Sequence, residues 1–164
     1  MTPKLKLFLG ALLVCVPIDQ LTKEWVIRSL HYGADVPVIP GFFSITHVRN
    51  PGAAFGVLAS SPQGVRLFFF FGVALFAMGL IVSFYRNLAP GDRLASLSLG
   101  MILGGAIGNL IDRATAGYVL DFVDAYWNGW HFWAFNVADA AITIGVGLMI
   151  LDILGVGRRA SNPV

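Results

Sequence analysis

From Leu67 to Tyr85 the chain carries no charged residue, and Arg66 and Arg86 bracket the run. At 1.5 Å per residue that segment makes a helix of about 28 Å, close to the roughly 30 Å hydrocarbon core of a bilayer. Three further stretches read as spans, at approximately 5–27, 94–112 and 132–154, beside the clear one at 67–85. Composition agrees, with 57% apolar residues, 12% charged residues and a mean hydropathy of +0.76. Soluble domains carry about 25% charge. The expected fold class is an all-α membrane protein of one domain, residues 1–164. It has four transmembrane helices and a small extracytoplasmic β element between the first two.

Lys4 and Lys6 ahead of the apolar run from Leu7 to Ile18 imitate a secretory signal. No small-x-small cleavage site follows, and the segment continues through Asp19, Gln20 and Lys23 to Ile27. It therefore reads as a retained first span. Four spans put both termini on one side. Lys4, Lys6, Arg86, Arg93, Arg158 and Arg159 lie on that side in short segments at helix ends, where the positive-inside rule applies best. Both termini are expected in the cytoplasm, although Lys23, Arg28, Arg49, Arg66 and Arg113 on the other side make the bias small.

On the outer side, residues 32–48 are rich in Val, Ile, Phe and Thr and are broken by Pro37, Pro40 and Gly41, which reads as a small hairpin on the membrane surface. Asn50-Pro51-Gly52 is a turn signal. Residues 114–131 read as a loop whose Tyr118, Phe122, Tyr126, Trp127 and Trp130 suit an interfacial aromatic belt. Gly100, Gly104 and Gly108 fall four apart, as do Ala141 and Gly145, so the third and fourth spans are expected to touch closely.

On this topology Asp19 and Lys23 share a face of the first helix, near its outer end. Asn109, Asp112 and Arg113 end the third span outward, and Asn136 and Asp139 open the fourth, three apart on one face. Asn50, Asp121 and Asp124 come from the outer loops. Acids inside a membrane are costly and rare, and they usually mark function. Asp19 with Lys23, and Asp112 with Arg113 or Arg28, suit structural pairs. Two acids brought together share one proton, and such a pair can activate water and protonate a leaving group.

Other chemistries are poorly provided for. Cys15, the only cysteine, lies in an apolar run without a local base. The histidines His31, His47 and His131 lack metal-ligand spacing, and His47 reads as a surface strand residue. No nucleophile elbow, metalloprotease motif or phosphate-cradling loop is present. A net charge of +2 with no basic stripe leaves nothing for nucleic acid. A small proton-coupled transporter or a non-catalytic membrane scaffold stands as the alternative to an enzyme. A transporter, however, calls for polar residues near the midplane.

Five segments together resemble the bacterial lipoprotein signal peptidases (signal peptidase II). They are Asp19-Gln20-Leu21-Thr22-Lys23, Asn50-Pro51-Gly52-Ala53-Ala54-Phe55-Gly56, Gly104-Gly105-Ala106-Ile107-Gly108-Asn109-Leu110-Ile111-Asp112-Arg113, Val119-Leu120-Asp121-Phe122 and Phe135-Asn136-Val137-Ala138-Asp139-Ala140-Ala141-Ile142. The resemblance implies an aspartic peptidase of the bacterial inner membrane. It would cut diacylglyceryl-modified prolipoproteins just before the lipidated cysteine, at a site near the outer face. It implies Asp121 and Asp139 as the catalytic pair; residue chemistry alone does not choose Asp121 over Asp112 or Asp124. Asn50, Gly52, Gly105, Asn109, Arg113 and Asn136 match positions that bind substrate or support the pair. Asp19, Lys23 and Asp112 match structural polar positions. Prolipoprotein substrates and membrane lipid are the expected partners of a monomer with no metal or cofactor. The outer strand element is expected to cover the bound peptide.

Overall fold

A computed structural model describes residues 1–52 and 60–155. Ala53, Ala54, Phe55 and Gly56 of the second segment, and Arg158 and Arg159 of the tail, lie outside the described residues. The chain forms α1 (Pro3–Ser29), β1 (Asp35–Ile39), β2 (Phe43–Asn50), α2 (Gln63–Asn87), α3 (Arg93–Thr115), β3 (Val119–Trp127), β4 (Trp130–His131) and α4 (Val137–Ile153). By length and hydropathy α1, α2 and α3 can each cross a membrane. At 17 residues α4 is shorter, about 26 Å at the helical rise.

Helix α3 is the centre of the bundle. It packs against α1, α2 and α4, and half of its most apolar stretch is buried. Glycines set how closely its neighbours approach, but not in the expected pairing. A Cβ on Gly100 would lie 2.9 Å from the Cβ of Ala11, and one on Gly104 would lie 2.8 Å from the Cβ of Cys15. That row therefore seats α1. The α3–α4 contact uses Gly105 and Gly145, whose added Cβ atoms would meet Ile142 and Ser98. Successive residues point about 100° apart around a helix, so Gly105 faces a different neighbour from Gly104. Beside this, α2 is loosely held: Ile81 is its one buried residue, in a cluster with Phe8, Leu99 and Leu103. At the far end of α2, Lys4 donates to the carbonyls of Tyr85 (2.9 Å) and Leu88 (2.7 Å). Its ammonium thus satisfies carbonyls that a helix end leaves open, and ties α1 to α2.

The β element is larger than expected. It is one antiparallel sheet in the order β1-β2-β3-β4, and half of it comes from the segment between α3 and α4 that reads as a loop. The class is therefore four helices with a small sheet, not all-α. Asn128 (φ 49°) and Gly129 (φ 77°) close the β3–β4 hairpin, with the left-handed pair of torsions that a two-residue turn matched to strand twist requires. Beyond β4 the chain returns to β3. Phe135 N–H donates to the Val123 carbonyl (3.0 Å), and Val123 N–H donates to the Phe135 carbonyl (2.8 Å). Residues 132–135 are thus held along the sheet, and the fourth helix starts at Val137 instead of near Phe132.

Leucine at Gly145 is expected to lower the thermal midpoint in detergent by several degrees, since overpacking typically costs about 1–3 kcal/mol. Gly147 has nothing within 4 Å, so Gly147→Leu is expected to leave the midpoint unchanged. Equal shifts in the two variants would show that the Gly145 contact does not set the α3–α4 spacing.

Candidate active site

The first turn of α4 is a capping box built from Asn136 and Asp139. Asp139 N–H donates to the Asn136 side-chain oxygen (3.0 Å), and Asn136 N–H donates to Asp139 Oδ2 (3.3 Å). This arrangement satisfies donors that a helix N-terminus leaves open. It also fixes Asn136 completely: the residue is fully buried, and its Nδ2 donates to Asp121 Oδ1 (2.7 Å) on β3. One asparagine thus touches both acids. Pairing of Val123 with Phe135 is what carries Asn136 to the level of Asp121.

Two more amides complete the arrangement. Asn50, at the end of β2, donates from Nδ2 to Asp121 Oδ2 (3.0 Å). Asn109 on α3 donates from Nδ2 to Asp139 Oδ1 (2.8 Å). The orientation of each amide is set by a donor on its oxygen: Gly52 N–H for Asn50, Lys23 Nζ for Asn109 and Asp139 N–H for Asn136. With each oxygen occupied, each NH₂ must face the acids. Both carboxyls therefore accept on both oxygens from neutral donors.

Asp121 is buried on a strand that lies outside the helices. Its carboxyl is raised from 3.8 to about 6, above all by burial. Asn50 opposes that rise, the neighbouring Asp139 adds to it, and the Asn136 bond works against it. Burial and a like charge both penalise the ionised form, whereas amide donors favour it.

Behind the acids sits a buried ionic cluster. Lys23 Nζ contacts Asp19 Oδ2 (2.7 Å), Asp112 Oδ2 (2.8 Å) and Asn109 Oδ1 (3.0 Å). The Asp19–Lys23 pair is as the spacing suggests. Asp112 differs: its partner is Lys23, while Arg28 is engaged by Glu24 at 2.6 Å. Arg113 points the other way, donating to the Gly52 carbonyl (2.8 Å) with its guanidinium over the Phe70 ring. Asp19 also accepts from Ala138 N–H (2.9 Å), which closes the N-terminus of α4 from another helix. Gly105 makes room for this approach, because a Cβ there would collide with the Ala138 carbonyl.

Two further residues stand out. Gln20 donates to Asp19, Asp112 and the Gly108 carbonyl at 3.1, 2.9 and 3.2 Å. Its place in the first matching segment was the only sequence signal. His47 is buried, not a surface residue, with Nδ1 against the Leu30 carbonyl (2.9 Å). The expectation failed because β2 is irregular between Ile45 and Val48, and the alternation of faces breaks there. Asp124 is set apart from the cluster, paired with His131 at 2.8 Å.

Asp121 and Asp139 both line a cavity of about 760 Å³ together with Asn50, Asn109 and Arg113. Its remaining walls are largely apolar, from Val48, Phe132, Trp133, Phe135, Ile142 and Ile144. Among the described residues, no group of three or more His, Cys, Asp or Glu side chains is arranged to hold a metal ion. The site thus brings two carboxyls, two side-chain amides and the guanidinium groups of Arg49 and Arg113 to an apolar groove, with Asn136 buried behind the acids, an arrangement suited to moving protons at a bound amide.

Removing Lys23 leaves two buried carboxylates facing each other, a change that typically costs about 3–5 kcal/mol. Lys23→Met is expected to lower the thermal midpoint strongly. Adding Asp112→Asn to it should cost much less than that change does alone, since the two share one contact. Additive losses in a double-mutant cycle would show that the pair is not coupled.

A family model described as signal peptidase (SPase) II matches residues 11–155. A protein of Geobacter metallireducens named lipoprotein signal peptidase is 47% identical, over 99% of each chain. One of the same name from Geobacter sulfurreducens is 43% identical over 97% of this chain and 98% of its own. Two solved structures described as bacterial membrane enzymes superpose with TM-scores of 0.83 and 0.79, at 32% and 35% identity. The first covers 96% of this chain and 93% of its own, the second 90% and 92%. By the family model and these relatives, the chain belongs to the signal peptidase II family and is a membrane-associated aspartic peptidase.

Proposed function

We propose that this peptidase, which removes signal peptides from prolipoproteins as its family does, works through a water held between Asp121 and Asp139. The single observation that carries this reading is Asn136, which bonds Asp121 through its side chain while its backbone and oxygen hold Asp139. One acid is ionised and the other holds a proton. The carboxylate takes a proton from water as its oxygen attacks the scissile carbonyl carbon, and the acid gives its proton to the carbonyl oxygen. Collapse of the resulting diol breaks the C–N bond, and a proton passes from the acids to the leaving amine. Arg113, Asn50 and Asn109 line the cavity where the peptide would lie. The cut is placed just before the diacylglyceryl-modified cysteine.

The apolar cavity supports a substrate that remains partly in lipid. All four helices are taken as spans, with both termini cytoplasmic and the site at the outer face of the inner membrane. Residues 132–135 would complete the crossing made by the short α4. The β1–β2 hairpin exposes Val36, Val38, Ile39 and Phe42, an apolar edge fit to rest on the bilayer and cover the peptide. The working state is taken as a monomer.

Asp121→Asn and Asp139→Asn are each expected to abolish cleavage of a lipidated precursor peptide in detergent while the protein stays folded. Full activity in either variant would remove that residue from the pair. The rate should follow a bell in pH. Once Asp121 loses its proton, above about 6, the proton needed by the carbonyl oxygen is no longer supplied from it. The alkaline limb of kcat/KM is therefore expected near that value, within about a unit. Asn50→Leu removes a bond that favours the charged form, so the limb should move to higher pH. A rate that only rises with pH would point to a different base.

A further inference from the structure

Arg49 is the last cation of β2 and lies outside the machinery above. It pairs with Leu120 across the sheet, one residue from Asp121, and lines the rim of the cavity. Its guanidinium is held between two rings, with Cζ 4.7 Å from the centroid of Tyr32 and 5.0 Å from that of Tyr118. Aromatic faces attract the cation but accept little at its N–H edge. Among the described residues, no carboxylate or carbonyl accepts from it.

A planar fork of donors, already immobilised by stacking, matches an anionic group with two oxygens on one atom. Most of the entropy of ordering a long side chain is spent before the ligand arrives. The location narrows the ligand. The exposed Tyr32 stacks on Arg49 itself, and the exposed Trp133 lines the same cavity; such residues gather at the headgroup level of a bilayer. We infer that Arg49, clamped by Tyr32 and Tyr118, binds the phosphodiester of an anionic phospholipid at the mouth of the catalytic cavity. A lipid held there would pin the bilayer edge to the opening through which a lipid-bearing substrate enters. This rests on the proposed membrane orientation, but its test does not depend on cleavage.

The detergent-purified full chain is titrated with short-chain phosphatidylglycerol, and bound lipid is counted by native mass spectrometry. Arg49→Gln is expected to weaken the tightest lipid adduct on the order of tenfold. Arg49→Lys, which keeps charge but loses the fork, should fall between Arg49→Gln and the unaltered chain. Arg28→Gln, which alters an outer-end arginine engaged by Glu24, should leave the adduct unchanged. Equal lipid retention by Arg49→Gln and the unaltered chain would overturn the proposal, and so would equal loss in Arg28→Gln. Competition by millimolar inorganic phosphate would overturn the lipid source in favour of a free-phosphate site. A thermal midpoint for each variant separates lost binding from lost folding.

Discussion

Lys23 has three N–H bonds and three acceptors, Asp19 on α1 and Asp112 and Asn109 on α3, where the two helices meet the amides of the site. A lone ammonium at this depth is strongly unfavourable, and so is a lone carboxylate. Together, with every donor used, they become a cross-brace that permits one arrangement of helices. Asp19 reaches the first turn of α4, Asp112 accepts from Leu120 N–H at the start of β3 (3.3 Å), and Asn109 turns its amide to Asp139. Helices α3 and α4 and strand β3 are each tied to that one cation within two contacts.

The sheet extends this brace to the second acid. Strand β3 packs Leu120 and Phe122 against Val26 of α1, and the same strand holds Asp121 between them. Neutral amides, not cations, make the hydrogen bonds to the two acids. A cation at that distance would favour the charged form of a carboxyl, whereas amides fix the acids in position; the proposed mechanism needs that, because it calls for one shared proton. Charge is supplied one residue further back, where it orients instead of neutralising.

Much of this was legible in the chain. The uncharged run from Leu67 to Tyr85 fixes the membrane class, and i,i+4 spacing gives the Asp19–Lys23 pair. Three-residue spacing put Asn136 and Asp139 on one face. What could not be read was rotation and register. The partner of Asp112 depends on how α1 is turned against α3, which Gly100 and Gly104 decide by letting α1 in. The buried position of His47 depends on an irregularity in β2 that alternation does not foresee. The strand that bears Asp121 was signalled by Asn128-Gly129, a hairpin turn that is easily lost among the aromatics of a surface segment.

Asp139 occupies the third position of the α4 capping box, so one carboxyl both closes a helix and faces the groove. These two duties cannot be separated in time. Until α4 has wound its first turn and seated against Asp19, Asn136 has no fixed side chain with which to reach Asp121. Without a seated fourth helix, the bridge from Asn136 to Asp121 and Asp139 has no fixed base. Under the proposed mechanism, the two acids can therefore cooperate only in a chain whose fourth helix is in place.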